Sequence, residues 1–404
     1  MNTTGASKES FSAWKLKVEK FVRTFWPQLA SDDFKIQHGE GGSYNRIVGI
    51  NILEPRGGML KHFQDRRTVQ QLILRVPLDI AALTMPYDVN ILKCIRPHVN
   101  VPMPEVIASF ETSENPLGRP FSIQNRLDGS PLNILLMGLN LAQKKSAIEG
   151  YGMIMQDLYG LTSECAGIPS LRNDSDSLGE SGMFLEEMIV PTGYFGFKPT
   201  AEQPRPPMGK LASRQTPREF LISLCERQNE HEKSKWSQPI RYPYDRAWGD
   251  VVYIVEQMHK LGFLPDDERF HLIHGDLFPR NILVHPTSSA SVEITGVVDW
   301  DMAHFGPKFM ATAPPLFFWN GGHEVVQLDV VHEYERPPTW TELKDTWDKA
   351  MGEDFCKMAY STEYIILREI YLVMLWGFVG NNKTSIERVE SLVDQVIELK
   401  RARI

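Results

Sequence analysis

The sequence has few cysteines and no arrangement in which they would act together. The four cysteines, Cys94, Cys165, Cys225 and Cys356, lie far apart, with no Cys-x-x-Cys pair and no histidine cluster at zinc spacing. Disulfide frameworks and structural zinc sites both depend on such spacing. We therefore expect four reduced thiols in a reducing compartment.

Long apolar runs and clustered basic residues are also missing. The most apolar stretch, from Glu363 to Gly380, contains Arg368 and Glu369, and its uninterrupted part is much shorter than a bilayer span. The N-terminus is polar and then amphipathic, where a secretory signal would need an apolar core. The net charge of −8 comes without a patch rich in lysine and arginine. We expect a soluble, cytoplasmic protein with no membrane partner and no nucleic-acid partner.

The hydrophobic periodicity changes near residue 126. From about Gly39 to Phe121 it predicts strands with one helix, and further on it predicts helices. We therefore predict an α+β protein of two lobes. A small β-rich lobe with an N-terminal helix covers residues 1–126, and a larger, mainly helical lobe covers residues 127–404. Pro-rich and charged stretches at about 169–244 are interpreted as an insertion on the surface of the second lobe.

The strongest motif lies in the second lobe, in the sequence HLIHGDLFPRNILV from His271 to Val284. It is followed by the strand-like ITGVVDWD, in which Asp299 stands eighteen residues after Asn281. Phosphoryl transfer needs a carboxylate that orients and deprotonates the acceptor, and oxygen ligands for magnesium. Asp276, Asn281 and Asp299 supply that set, with the spacing of the kinase catalytic loop.

These motifs resemble the aminoglycoside phosphotransferase and choline-kinase-like family, in particular its fungal-type members with a His-Gly-Asp-Leu catalytic loop. The resemblance runs over about residues 39–318. It implies a protein-kinase-like fold, ATP and Mg²⁺ as cofactors, and transfer of the γ-phosphate to a hydroxyl group. It also implies Asp276 as catalytic base, Asn281 and Asp299 as magnesium ligands, His274 as a structural brace of the loop, and Trp300 at the aromatic position after the metal-binding aspartate.

In the first lobe, GEGGSYNRIVGI stands where this family places the hairpin that covers the phosphates. The resemblance implies Gly42, Ser43, Tyr44 and Asn45 at its tip, where small residues let backbone N–H groups approach the phosphates. An ordinary hairpin turn is the alternative interpretation.

Two positions depart from the kinase pattern. Arg75, in LILRVP, stands where a lysine ordinarily contacts the nucleotide phosphates, and Asp88 stands where a glutamate ordinarily pairs with that lysine. Arginine also binds phosphate, through a fork of donors, so we expect an Arg75–Asp88 ion pair and an active enzyme. The alternative is a surface arginine on an edge strand.

The segment PFSIQNRLDGSPL looks like the connection between the lobes. There, backbone groups around Gln124 and Asn125 are expected to hydrogen-bond an adenine edge.

The acceptor is expected to be a small hydroxylated molecule, such as a cationic alcohol or a secondary metabolite. Asp301 is either a ligand for a cationic acceptor or the cap of a turn, and His304 also lies near the loop. The run PPLFFWNGG contains Phe317, Phe318 and Trp319, which we interpret as core packing, with an aromatic cage as the alternative.

Two other functions compete with a small-molecule kinase. A pseudokinase would keep the fold as a binding module, and Arg75 and Asp88 favour it, whereas the intact set of Asp276, Asn281 and Asp299 argues against it. A protein kinase is less consistent with the sequence, which lacks an Ala-Pro-Glu segment and has His-Gly-Asp in place of His-Arg-Asp.

Overall fold

The computed structural model describes residues 10–39, 45–53, 68–78, 85–171, 183–188, 210–233, 238–319, 338–378 and 382–403. The chain divides into two compact units, the first made of Met1–Pro97 and Met103–Asp128, the second of His98–Pro102 and Gly129–Ile404. The first unit is built on a β-sheet and the second is mainly helical, so the predicted α+β class is confirmed. Within these described residues, no helix is both long enough and apolar enough to cross a membrane.

The first unit is a five-stranded antiparallel sheet with the strand order β1-β2-β3-β5-β4. Helix α1 precedes the sheet, and helix α2 connects the third strand to the fourth. The elements are α1 (Phe11–Phe25), β1 (Phe34–His38), β2 (Asn45–Leu53), β3 (Thr68–Pro77), α2 (Met85–Ile95), β4 (Val106–Phe110) and β5 (Phe121–Asn125).

Helix α1 covers the sheet with its apolar face. Ser10 begins the helix by accepting a hydrogen bond from the backbone N–H of Ala13 at 3.4 Å, which satisfies one of the free donors at a helix N-terminus. Trp14, Val18, Phe21 and Val22 are buried on one face, as expected for residues spaced three or four apart. The ring of Phe21 packs edge-on against Phe121 of β5, with 4.8 Å between centroids.

The second unit contains two small sheets, with the orders β13-β10-β7 and β12-β11-β6, and a two-stranded pair, β8-β9. The loop of residues 274–281, which is predicted to be catalytic and which we call the catalytic loop, connects the first of these sheets to the second. Its strands are β6 (Ser130–Pro131), β7 (Thr162–Ser163), β8 (Ile168–Ser170), β9 (Phe184–Glu186), β10 (Phe270–Ile273), β11 (Ile282–Pro286), β12 (Val292–Val297) and β13 (His304–Gly306). Its helices are α3 (Leu132–Leu135), α4 (Leu141–Gly160), α5 (Pro217–Lys233), α6 (Gln238–Lys260), α7 (Lys308–Ala311), α8 (Pro338–Met351), α9 (Glu353–Tyr360), α10 (Thr362–Trp376) and α11 (Asn382–Arg401).

Helix α4 runs through one core of this unit and supports the strands on either side of the catalytic loop. A reciprocal cap begins it, because Asn140 accepts from the backbone of Gln143 at 3.0 Å while the Gln143 side chain accepts from Asn140 at 3.1 Å. Tyr151, on its buried face, packs against Phe317, Phe318 and a buried tryptophan of α8.

Part of the range interpreted as a surface insertion is buried helix. Helix α5 buries seven residues, including Gln228 and Glu232, although its sequence is highly polar. The carboxylate of Glu232 accepts hydrogen bonds from the Trp248 indole at 3.2 Å and from the backbone N–H of Phe378 at 2.9 Å. Buried polar groups are tolerated when they are hydrogen-bonded in this way. Residues 217–233 therefore form part of the packed second unit.

Candidate active site

The catalytic loop joins β10 to β11, and its first turn requires glycine. Gly275 has a φ of 79°, a left-handed conformation that glycine adopts without steric cost. A Cβ at this position would lie 2.4 Å from the backbone oxygen of Met302. Glycine thus lets the chain turn directly after His274 and present Asp276 beside the residues that follow β12.

His274 braces the loop from beneath, as expected. It is 2% exposed. Its Nδ1 accepts from the backbone N–H of Asp276 at 3.2 Å, so its Nε2 carries the hydrogen and donates to the carbonyl oxygen of Val298, also at 3.2 Å. Burial lowers the pKa of His274 to about 4, against the opposing effect of Asp299, which keeps the ring neutral at neutral pH.

Both carboxylate oxygens of Asp276 accept hydrogen bonds from the loop itself. Arg280 donates from Nη2 to Oδ1 at 2.5 Å, and Asn281 donates from Nδ2 to Oδ2 at 2.8 Å. The Asp276 side chain is still 23% exposed. Burial raises the pKa of Asp276 above its usual value, while Arg280 and Asn281 oppose the rise. The group is a fixed and partly accessible carboxylate, which is what a general base requires.

Asn281 is buried at the end of a 3-10 turn over Pro279–Asn281. Its amide nitrogen donates both to the carboxylate and to the backbone oxygen of Asp276, each at 2.8 Å. The backbone oxygen of Asn281 accepts from the N–H of Val298 at 2.9 Å, which ties the loop to the segment after β12. Since the amide nitrogen is engaged, the side-chain oxygen is the atom of Asn281 suited to a metal ion.

Asp299 follows β12 in a strained backbone conformation. Of the non-glycine residues that the structure describes, it alone has a positive φ, at 67°. Such conformations are costly for non-glycine residues and cluster at functional sites. The following turn is held by the Trp300 indole, which donates to the Val297 carbonyl oxygen at 2.8 Å and packs at 4.5 Å from the His274 ring. His274 and Trp300 therefore connect the position of Asp299 to that of Asp276.

The donors of Asn281 and Asp299 fit Mg²⁺ better than a transition metal. Both side chains offer oxygen, which is the ligand atom that Mg²⁺ prefers. Mg²⁺ is usually bound through one or two protein oxygens together with substrate phosphates and waters. Two protein ligands therefore suffice for a site completed by a nucleotide.

Of the four residues predicted at the tip of the phosphate-covering hairpin, the structure describes one. Gly42, Ser43 and Tyr44 lie outside the described residues, and Asn45 is the first residue of β2. Arg75 is in β3, paired with Ile47 of β2 and with Ser122 of β5. Its strand therefore has neighbours on both sides, which is inconsistent with an arginine on an edge strand.

Asp88 is in the first turn of α2 and is 8% exposed. The ion pair between Arg75 and Asp88 stays a prediction.

Gln124 and Asn125 form the end of β5 and take part in sheet pairing. Gln124 is 4% exposed. The backbone N–H of Asn125 donates to Glu105 at 3.0 Å, and the N–H of Arg126 donates to Gln71 at 2.9 Å. These two donors are engaged in the sheet, so an adenine edge would have to use other backbone groups of this segment. The prediction of an adenine contact here is untested.

Of the residues considered for the acceptor, most are structural. Phe317, Phe318 and Trp319 are buried in the core around α4, in agreement with core packing. His304 is 3% exposed and bridges the Met302 carbonyl oxygen at 2.8 Å and the Tyr371 hydroxyl at 2.9 Å. It is a buried packing residue. Asp301 is in the 3-10 turn Trp300–Met302, and its role toward an acceptor stays a prediction.

Sequence reasoning missed Arg280, the residue that contacts Asp276 most closely. The signal was present, since Arg280 follows Asp276 by four residues and directly precedes Asn281. A motif defines which residue types recur, but it does not show which way the intervening side chains point.

An antiparallel sheet with a helix between its third and fourth strands, followed by a helical unit with a His-x-Asp-x4-Asn loop and a distal aspartate, defines a phosphotransferase of the protein-kinase-like fold. The sequence model of the phosphotransferase enzyme family, APH, matches residues 61–310 of this chain. The chain belongs to this family.

Curated relatives include two subtelomeric hrmA-associated cluster proteins from two strains of Aspergillus fumigatus. Each matches at 23% identity in an alignment 346 residues long, and the match covers 74% of this chain. The chain spans 64% of the length of these relatives.

Solved structures include the GDP complex of wild-type aminoglycoside 2′-phosphotransferase-IIIa, at 13% identity and a TM-score of 0.47, covering 95% of this chain and 98% of the other. They also include aminoglycoside phosphotransferase APH(4)-Ia, at 16% identity and a TM-score of 0.48, covering 94% of this chain and 98% of the other.

Proposed function

We propose that this protein is an ATP- and magnesium-dependent phosphotransferase that transfers the γ-phosphate to a hydroxyl of a small-molecule acceptor. The observation that carries the proposal is the connected network around Asp276. His274 holds its backbone, Asn281 holds one carboxylate oxygen, and Val298 links the loop to Asp299. A binding module without catalytic activity would have no chemical reason to keep Asp276, Asn281 and Asp299 together.

In the proposed reaction, Asp276 orients the acceptor hydroxyl and receives its proton. The bond between the acceptor oxygen and the γ-phosphorus forms while the bond to the β,γ-bridging oxygen breaks, and ADP leaves. The developing charge on the acceptor oxygen is small in a loose transition state. Asp276 therefore contributes mainly by placing the hydroxyl, and its fixed carboxylate suits that task.

Asn281 and Asp299 would hold the metal ion, which when bound neutralises phosphate charge. Asn281 would serve two functions in this scheme, because its oxygen would bind the metal while its nitrogen keeps Asp276 in place. Loss of Asn281 would thus weaken nucleotide binding and misplace the base together, whereas loss of Asp299 would act mainly on metal-dependent nucleotide binding.

The acceptor is proposed to be a small molecule, because the loop has Gly275 where protein kinases have arginine. That arginine ordinarily anchors a phosphorylated activation loop. Here the backbone of Met302 lies against the glycine, so a side chain at that position would be excluded. We further propose Asp301 as the residue that would meet a cationic group on the acceptor.

Calorimetric titration with ATP, with and without Mg²⁺, tests the nucleotide site. The wild type is expected to bind ATP only when Mg²⁺ is present, and Asp299→Ala is expected to lose this Mg²⁺-dependent binding. Asp345→Ala, an exposed aspartate of α8, is the matched control and should bind as the wild type does. Binding that ignores both Mg²⁺ and the Asp299 substitution would contradict the proposal.

A catalytically weak or inactive pseudokinase is the alternative, and the specific observation in its favour is Arg75 with Asp88 in place of lysine and glutamate. Under this alternative ATP would bind without turnover. Comparing the wild type with the double variant Arg75→Lys/Asp88→Glu, which restores the kinase pair, separates the two possibilities. An active enzyme turns ATP over without the replacement, whereas a pseudokinase does not.

A further inference from the structure

Arg280 makes a close and directional contact with the residue proposed as the base. Its Nη2 lies 2.5 Å from Oδ1 of Asp276, and its guanidinium carbon lies 4.8 Å from the centroid of the Phe278 ring. The Arg280 side chain is 41% exposed. One face of the guanidinium thus packs on an aromatic ring while one edge binds the carboxylate, which limits the orientations that Arg280 samples.

The two hydrogen-bond donors on Asp276 differ in their surroundings. Asn281, which binds Oδ2, is 5% exposed and also bonded to the loop backbone. Arg280, which binds Oδ1, is the exposed donor. We therefore assign the incoming hydroxyl to Oδ1, the carboxylate oxygen bound by the exposed donor rather than by the buried one. A carboxylate oxygen accepts more than one hydrogen bond, so a hydroxyl can bind Oδ1 while Arg280 stays in place.

We propose that Arg280 is a positioning residue for phosphoryl transfer, which fixes Oδ1 of Asp276 in the orientation that receives the acceptor hydroxyl. The inference rests on the proposed function, since it assigns Asp276 as the base. Without Arg280, Oδ2 is still held by Asn281, but the carboxylate plane is free to rotate about that single contact. The acceptor hydroxyl would then be less often in the orientation that allows attack on the γ-phosphorus.

If Arg280 were purely structural, its removal would lower the thermal midpoint, whereas a positioning role predicts a loss of turnover. The Arg280–Asp276 pair spans four residues on one loop and is partly exposed on both sides, and such pairs contribute little to folding stability. Removing Arg280 should therefore leave the thermal midpoint nearly unchanged. The expected loss is confined to turnover, and KM for ATP and the affinity for Mg²⁺-ATP should stay close to those of the wild type.

The experiment compares Arg280→Gln and Arg280→Lys with the wild type, using ATP hydrolysis with water as acceptor. Arg280→Gln should lower kcat about tenfold, and Arg280→Lys, which keeps the charge but not the fork of donors, should fall between Gln and wild type. Guanidinium ion at millimolar concentration, far below denaturing levels, should restore part of the kcat of Arg280→Gln. Arg246→Gln, which removes an exposed arginine paired with Asp250 and Glu390, is the matched control and should hydrolyse ATP as the wild type does, with and without guanidinium.

Three results would overturn the inference. These are an unchanged kcat in Arg280→Gln, a rise in KM without a change in kcat, or a fall in kcat that neither guanidinium nor the lysine variant reverses. In each of these cases a wild type that turns ATP over still supports the proposed function. A wild type that binds Mg²⁺-ATP but shows no turnover instead overturns the proposed function, and the role of Arg280 with it.

Discussion

Replacing His274 by alanine tests the architecture of the catalytic loop in a way that needs no knowledge of the acceptor. The ring is buried, it joins the N–H of Asp276 to the carbonyl of Val298, and it packs against Trp300. The substitution leaves both backbone groups without their partner in the interior. It also leaves a space beside the tryptophan.

The expected cost follows from these contacts. Each hydrogen bond contributes about 1 kcal/mol, and a buried group left unsatisfied costs about 1–3 kcal/mol. With partial relaxation, His274→Ala should lower the free energy of unfolding by about 3–5 kcal/mol. For a unit of this size, that corresponds to a drop in thermal midpoint on the order of 10 °C.

Urea denaturation and thermal melts at pH 7.5 measure this effect. His285→Ala is the matched control, because His285 is an exposed histidine of β11, and its loss should change stability by less than about 0.5 kcal/mol. If His274→Ala were no less stable than His285→Ala, the brace between Asp276 and Val298 would not support the loop, and the argument from burial would be refuted.

Further predictions concern positions around the same core. Gly275→Ala should destabilise the protein by at least about 2 kcal/mol, because φ is positive and the new Cβ would meet the Met302 oxygen at 2.4 Å; a circular-dichroism melt within 2 °C of the wild type would contradict this. Arg368→Met should cost about 3 kcal/mol in urea denaturation, because the buried guanidinium donates to three backbone carbonyl oxygens; a smaller loss than that of an exposed arginine would be inconsistent with this role. Burial lowers the pKa of His304, so the unfolded chain binds more protons and stability should fall as the pH drops below about 6.5. This slope should become shallower in His304→Gln, and an equal slope in both proteins would exclude His304 as its source.

Local motifs predicted that His274, Asp276 and Asn281 meet on one loop because their spacing is short, while the catalytic role of this loop stays a prediction. His274, Asp276 and Asn281 lie within eight residues of each other, and the backbone of one loop brings them together in any fold that contains it. The role of His274 as a brace was predicted and is confirmed by its two hydrogen bonds.

Contacts between distant segments could not be predicted from the sequence. Helix α5 looks like a solvated helix because Gln228, Glu232 and their neighbours are polar, yet Glu232 is buried by partners on α6 and after α10. Phe378, one of these partners, is 146 residues away in the chain. Hydrophobic periodicity carries no information about a buried carboxylate whose donors come from elsewhere.

Side-chain direction limited the prediction of the site in the same way. The sequence places Arg280 beside Asn281, but only the three-dimensional loop shows that its guanidinium points back to Asp276. The left-handed backbone of Asp299 was equally hidden, because aspartate adopts that conformation rarely and without a local signal.

The most direct test of the central claim is the turnover of γ-labelled ATP by the wild type and by Asp276→Asn at saturating Mg²⁺, with nucleotide affinity measured in parallel. We expect turnover to fall by about 100-fold or more in Asp276→Asn, while the affinity for Mg²⁺-ATP stays within about twofold because Asp276 is not one of the proposed metal ligands. Equal turnover in both proteins would contradict the assignment of Asp276 as the base, and with it the mechanism proposed for this site.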